Sequence, residues 1–178
     1  TIFSLTTLST GLNAGFNTAY LDNPANPRWV AKPTVAYLTA RTVQCKACRA
    51  EVPLLKTRWL VKTEKRRAVL TMRPREDKSG VVFGIDQSAK AQGGNAAQRR
   101  EYDKRLGAGT MSRAGATCPC CGTIMTMEDI RLQGRAGGMG TRMTAVVVDS
   151  PDGKEYRIPT ALELQASSIS ATDLESAF

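Results

Sequence analysis

Histidine is absent from all 178 residues, and that one absence removes several functions. No histidine general base, no Ser-His-Asp triad and no mixed Cys/His zinc site can be built within this chain. Aromatic residues are scarce at 6% against 42% hydrophobic overall. A core with so little aromatic bulk is thin, and an added staple would help it. No stretch approaches the roughly 18 apolar residues of a membrane helix. The start, Thr1-Ile-Phe-Ser-Leu-Thr-Thr-Leu, has neither a basic n-region nor an apolar h-region, so no signal peptide is expected. A cytoplasmic location and no membrane partner follow as expectations. The missing initiator Met hints at processing, or at a piece of something longer.

Positive charge, by contrast, is plentiful. Lys and Arg total 25 against 16 Asp and Glu, a formal +9, which favours a polyanionic partner, nucleic acid being the usual one. The charge is also segregated. Between Lys56 and Arg75 lie eight bases (Lys56, Arg58, Lys62, Lys65, Arg66, Arg67, Arg73, Arg75) and one acid, Glu64. From Asp149 onward there are six acids and two bases. The basic window reads either as a solvated strand face or as a binding surface, and its segregation tilts the reading towards binding. Within it, Arg58, Lys62, Lys65, Arg66, Arg67 and Arg73 are the candidate nucleic-acid contacts. Trp59 beside them is either a stacking platform or a core residue.

The pattern of residues suggests an α+β chain dominated by short strands. Residues 1–34, rich in Asn, Thr and Pro, read as an irregular arm. Residues 35–160 read as one domain and 161–178 as an acidic, partly helical or disordered tail. Strands are expected at Val35–Val43, Glu51–Lys62, Arg66–Met72, Gly80–Ile85, Arg142–Val148 and Glu155–Ile158. In the third, Ala68, Leu70 and Met72 face one side and Arg67, Val69 and Thr71 the other. A charged helix is expected over Ala97–Leu106. Thr126-Met-Glu-Asp has the spacing of a capping box, which predicts a helix from there to about Gln133. Asp149-Ser-Pro-Asp-Gly153 reads as a hairpin turn, Thr160 as the cap of a last helix, and residues 87–97 and Gly107–Gly115 as flexible loops.

Five cysteines occur, four of them in two C-x-x-C pairs, Cys45-Lys-Ala-Cys48 and Cys118-Pro-Cys-Cys121. Two intervening residues let a tight knuckle aim both thiolates at one point, and a second knuckle completes a tetrahedral shell around zinc. In the second knuckle Pro119 shapes the turn and Gly122 stands where a positive φ is needed; in the first, Arg49 occupies that place. Scattered core cysteines, a disulfide framework and a single redox C-x-x-C all fit this pattern poorly. Iron remains open as an alternative in a four-thiolate site. Cys120 falls outside the x-x register and reads as a spare. Between Cys48 and Cys118 lie 69 residues, against roughly 12–20 in a simple zinc ribbon. A β-rich insertion must therefore sit between the knuckles, closed at its base by the metal. The expected architecture is a zinc-ribbon-like small β-sheet module with a few short helices. Four coordinated thiolates leave no open position, so the metal's role is structural.

Val35-Ala-Tyr-Leu-Thr-Ala-Arg-Thr-Val-Gln-Cys45 and Ala50-Glu-Val-Pro-Leu-Leu-Lys-Thr-Arg-Trp-Leu60 are followed by Ser112-Arg-Ala-Gly-Ala-Thr-Cys-Pro-Cys-Cys-Gly122 and Gln133-Gly-Arg-Ala-Gly-Gly-Met-Gly-Thr-Arg-Met-Thr-Ala-Val-Val. In this order, over about residues 34–160, they resemble the zinc-ribbon region of adenine-specific DNA methylases that contain a zinc ribbon, a family linked with restriction-modification. The resemblance implies a parent with a Rossmann-like domain that moves a methyl group from S-adenosylmethionine to adenine, the zinc module being inserted in it. The glycine-rich cofactor loop and the Asp/Asn-Pro-Pro-aromatic motif of such a parent are not in this sequence. Gly134–Gly140 follows a helix and precedes a strand, the wrong order for a dinucleotide fingerprint. The chain alone is therefore expected to be non-catalytic, with S-adenosylmethionine belonging only to a full-length parent. DNA, bound weakly and without sequence preference, and the catalytic part of a methylase are the expected partners. A free-standing nucleic-acid-binding zinc protein from a mobile-element or phage-defence neighbourhood and a protein-interaction scaffold are the alternatives.

Overall fold

A computed structural model describes residues 3–4, 32–91 and 93–167. Most of the expected N-terminal arm, and the tail beyond residue 167, lie outside the described residues. The fold is α+β and its sheets are antiparallel.

The spine is a long strand, β2 (Lys32–Gln44), paired on one edge with β9 (Gly140–Val148). Thr42 aligns with Gly140 of β9 and also with Pro53 of β3 (Glu51–Pro53), so β3 occupies the opposite edge. The short β1 (Phe3–Ser4) pairs with the start of β2, and β10 (Glu155–Arg157) continues the sheet beyond β9. The hairpin turn between β9 and β10 falls at the expected place, with Gly153 at φ 101°. Residues 144–148 are buried throughout, as the apolar run from Ala145 to Val148 suggests, and the Thr144 hydroxyl donates to Leu38 O at 3.0 Å.

A second sheet is a meander of β4 (Trp59–Lys62), β5 (Arg67–Pro74) and β6 (Val81–Asp86), all lying between the knuckles in sequence. The alternation in β5 places Leu70 and Met72 on one face as expected, but Val69 on the other face is buried too, so β5 is covered on both sides there. Leu70 and Met72 pack with Val81, Phe83 and Ile85 against Ala145 and Leu38 of the first sheet, each fully buried aliphatic side chain contributing about 1.5–3 kcal/mol. The single strand expected over Glu51–Lys62 is instead two strands. Its middle is drawn aside because the Leu54 amide donates to the Arg41 carbonyl and the Leu55 amide to Thr110 Oγ1.

The third element is a small hairpin, β7 (Gly115–Thr117) and β8 (Ile124–Thr126), which carries the second knuckle. The first helix, α1 (Ala96–Leu106), is capped by Asn95 and buries no side chain. The second, α2 (Met127–Arg135), starts at the expected capping box: Asp129 N donates to Thr126 Oγ1, and Thr126 N to Asp129 Oδ2.

Thr160 caps the last helix, α3 (Ala161–Ala166), and Arg157 holds Glu163 through two hydrogen bonds of 2.6 and 2.7 Å. The guanidinium keeps the Glu163 carboxyl down at about 2. A depressed carboxylate stabilises above its unfolded value of about 4.3 and loses that contribution as pH falls through the folded one. The amide resonances of 160–167 should therefore move to random-coil positions between pH of about 4 and 2, and Arg157→Ala should produce the same detachment at neutral pH.

Candidate metal centre and basic face

The two knuckles are built alike, bond for bond. In the first, Cys45 N donates to Ala50 O (2.8 Å) and Arg49 N to Cys45 O (2.9 Å). In the second, Cys118 N donates to Thr123 O (2.9 Å) and Gly122 N to Cys118 O (2.9 Å). The fifth position of each turn is left-handed, with φ 76° at Gly122 and φ 63° at Arg49. A side chain there costs about 1–2 kcal/mol, part of which glycine returns through its extra freedom when unfolded. Arg49→Gly should accordingly stabilise the protein by about 0.5–1 kcal/mol, readable as a higher denaturation midpoint at unchanged slope. A lower midpoint would mean the Arg49 side chain has a role of its own.

The knuckles meet so that Cys45 Sγ lies 3.6 Å from Cys121 Sγ and Cys48 Sγ 3.6 Å from Cys118 Sγ. All four sulfurs fall within 4.8 Å of one another. Sulfur at about 2.3 Å from a tetrahedral cation gives sulfur–sulfur edges of about 3.8 Å, so small adjustments would close this set around a metal. Cys45 and Cys118 are buried among Val43, Val52, Ala116, Met125 and Ile130. Burial pushes the Cys118 thiol up, while the Thr123 hydroxyl and amide bring Cys121 down to about 6. Cys120 is not part of the cluster. Its Sγ donates instead to Gly80 O at 3.3 Å, tying the second knuckle to the turn before β6.

Helix α2 braces the first knuckle in a way the sequence did not announce. The Gln133 side chain accepts from Gln44 N (2.8 Å) and donates to Gln44 O (2.7 Å), standing in for a neighbouring strand just before Cys45. Lys46 pairs with Asp129 at 2.7 Å from the same helix.

The six candidate bases divide. Arg58 is turned inward, donating to Ala108 O (2.7 Å) and Leu106 O (2.8 Å) at the end of α1, where a cation suits the helix dipole. Arg67 pairs with Asp103 of α1 and lies over the Trp59 ring, 4.7 Å from its centroid. Lys62 reaches the same carboxylate at 3.4 Å. Trp59 itself donates Nε1–H to Asp103 O at 3.0 Å and packs on Gly107, so it serves the docking of α1. Arg66 donates to the Lys154 carbonyl. Lys65 and Arg73 are exposed, Arg73 at the far end of β5. Lys65, Arg66 and Arg67 are thus brought together in one cleft, while Arg58 and Arg73 stand apart from it. Two residues went unnoticed in the sequence: Asp103, hidden in a charged helix, and Lys154, hidden in an acidic region. No family model, curated protein or solved structure matches this chain.

Proposed function

We propose that this chain is a non-catalytic zinc module, the zinc-ribbon insertion of an adenine-specific DNA methylase, which meets the DNA backbone through its basic face. The observation that carries the metal half is the pair of matching knuckles with four converging sulfurs. Four thiols and no histidine suit zinc in a closed structural site. When bound, the metal would supply a crosslink between Cys45, Cys48, Cys118 and Cys121 and no reactive position. The chain's own residues then do the rest: β2 and β3 present one knuckle, β7 and β8 the other, and Gln133 and Asp129 hold the first in place. The methylase half rests on the resemblance of residues 34–160 and on the exposed cations. The Gly134–Gly140 stretch supports the non-catalytic reading, since it runs from the last turn of α2 through residues 136–139 into β9 and is not a strand-to-helix phosphate loop.

Elemental analysis of protein purified without added metal should find close to one zinc per chain. Incubation with labelled S-adenosylmethionine and adenine-containing DNA should give background counts, and calorimetry no heat of cofactor binding. Measurable cofactor affinity would overturn the non-catalytic assignment. An iron-filled site would overturn the choice of zinc.

A further inference from the structure

The cleft between the β4–β5 turn and the β9–β10 hairpin holds cations that the sequence keeps far apart. Lys65, Arg66 and Arg67 form one wall and Lys154 the other, with Glu155 as the one acid. We propose that this cleft is a preformed seat for a single phosphodiester group of a nucleic-acid backbone. The inference rests on the DNA-contact reading above and gives it an address.

Size comes first. The cleft offers about 250 Å³, below the roughly 300–1,000 Å³ of most small-molecule sites. That suits one phosphate and its ester oxygens better than a whole nucleotide. Charge comes second: Lys65, Arg66 and Lys154 stand against Glu155 among the lining residues. Arg67 is taken up by Asp103 and the Trp59 ring and lines the cleft without adding a free charge. Rigidity comes third. Thr63 closes the β4–β5 turn, its Oγ1 donating to Arg66 O (2.9 Å) and accepting from Arg66 N (3.0 Å). Arg66 is fastened to the Lys154 carbonyl, and Gln87 Nε2 donates to Tyr156 O at 3.0 Å across the floor. Three distant segments are thus held in place before any ligand arrives, which lowers the ordering cost of binding.

Lys154 provides the test, because it is exposed and lies outside the basic window. Inorganic phosphate titrated into the full chain should shift the backbone amides of 65–68 and 153–156, and Lys154→Ala should abolish those shifts. In anisotropy titrations with a labelled duplex, Lys154→Ala should reduce the magnitude of the log–log salt slope by about 0.9, one phosphate contact. Lys56→Ala, exposed outside the cleft, should leave the cleft amides' response to phosphate unchanged. If the parent binds duplex but Lys154→Ala leaves the slope intact and phosphate leaves those amides unmoved, the seat is refuted while the DNA-contact reading stands. If phosphate moves the amides but no duplex binds even at low salt, a nucleic-acid ligand is refuted, and the DNA contact with it.

Discussion

Cys118→Ser should leave this protein without a cooperative unfolding transition. Cys118 is buried at the meeting point of both knuckles, so in the proposed zinc site its loss removes a ligand and breaks the crosslink. Structural zinc contributes about 10–16 kcal/mol in small finger peptides, as much as the 5–15 kcal/mol by which a typical domain is stable. The thin core cannot make up the difference. Circular dichroism should show loss of the strand signal, and metal content should fall well below one equivalent. Because the thiolates must be free of protons to bind, stripping by a chelator should become easier as pH falls. Cys120→Ser provides the contrast: its hydroxyl can still donate to Gly80 O, and both metal content and melting temperature should stay near the parent's. Should Cys120→Ser empty the site while Cys121→Ser does not, the ligand set is wrong.

The second large effect is expected at Gly115→Ala. Gly115 sits at φ 136°, and a Cβ there would overlap the Met125 carbonyl across the β7–β8 pair. Backbone strain of about 1–3 kcal/mol and overpacking of about 1–3 kcal/mol together approach the whole stability of a small domain. The damage should spread to the metal, since the hairpin it opens carries Cys118 and Cys121. Chemical denaturation should place the midpoint far below the parent's, with zinc released in the same transition. Zinc retained through an early local transition would show that the knuckle holds without its hairpin.

That glycine also marks what the sequence could not show. Gly107–Gly115 reads as flexible from composition, yet the folded segment is stitched down. Thr110 Oγ1 donates to Pro53 O, Met111 N donates to Leu55 O at 2.9 Å, and Thr117 N donates to Thr110 O at 2.9 Å. A Cβ at Gly107 would overlap the Trp59 ring, and one at Gly109 the Leu55 carbonyl. The glycines admit close neighbours from some 50 residues away, and nothing local announces a neighbour. The basic window carries the same lesson, since Arg67 and Lys62 look free until Asp103, 36 residues beyond Arg67, comes beside them. Features written within a few residues were legible: the C-x-x-C spacings, the Thr126 and Thr160 caps, and the alternation of β5. Whatever depended on pairing across the fold was not, including the division of Glu51–Lys62 into two strands.

The alignment of the first sheet has a consequence for how such a body connects to other chains. Tyr37 of β2, Val146 of β9 and Arg157 of β10 stand side by side, and Asp149 N donates to Pro33 O at 2.8 Å. Thr34 is level with Val148 and, through it, with Glu155, so β2 and β10 both begin at one end of the sheet, two strand spacings or about 10 Å apart. Everything between, both knuckles and the meander included, hangs from that narrow doorway. In the proposed methylase, a loop opened by about that width would be enough to carry both sheets and both knuckles.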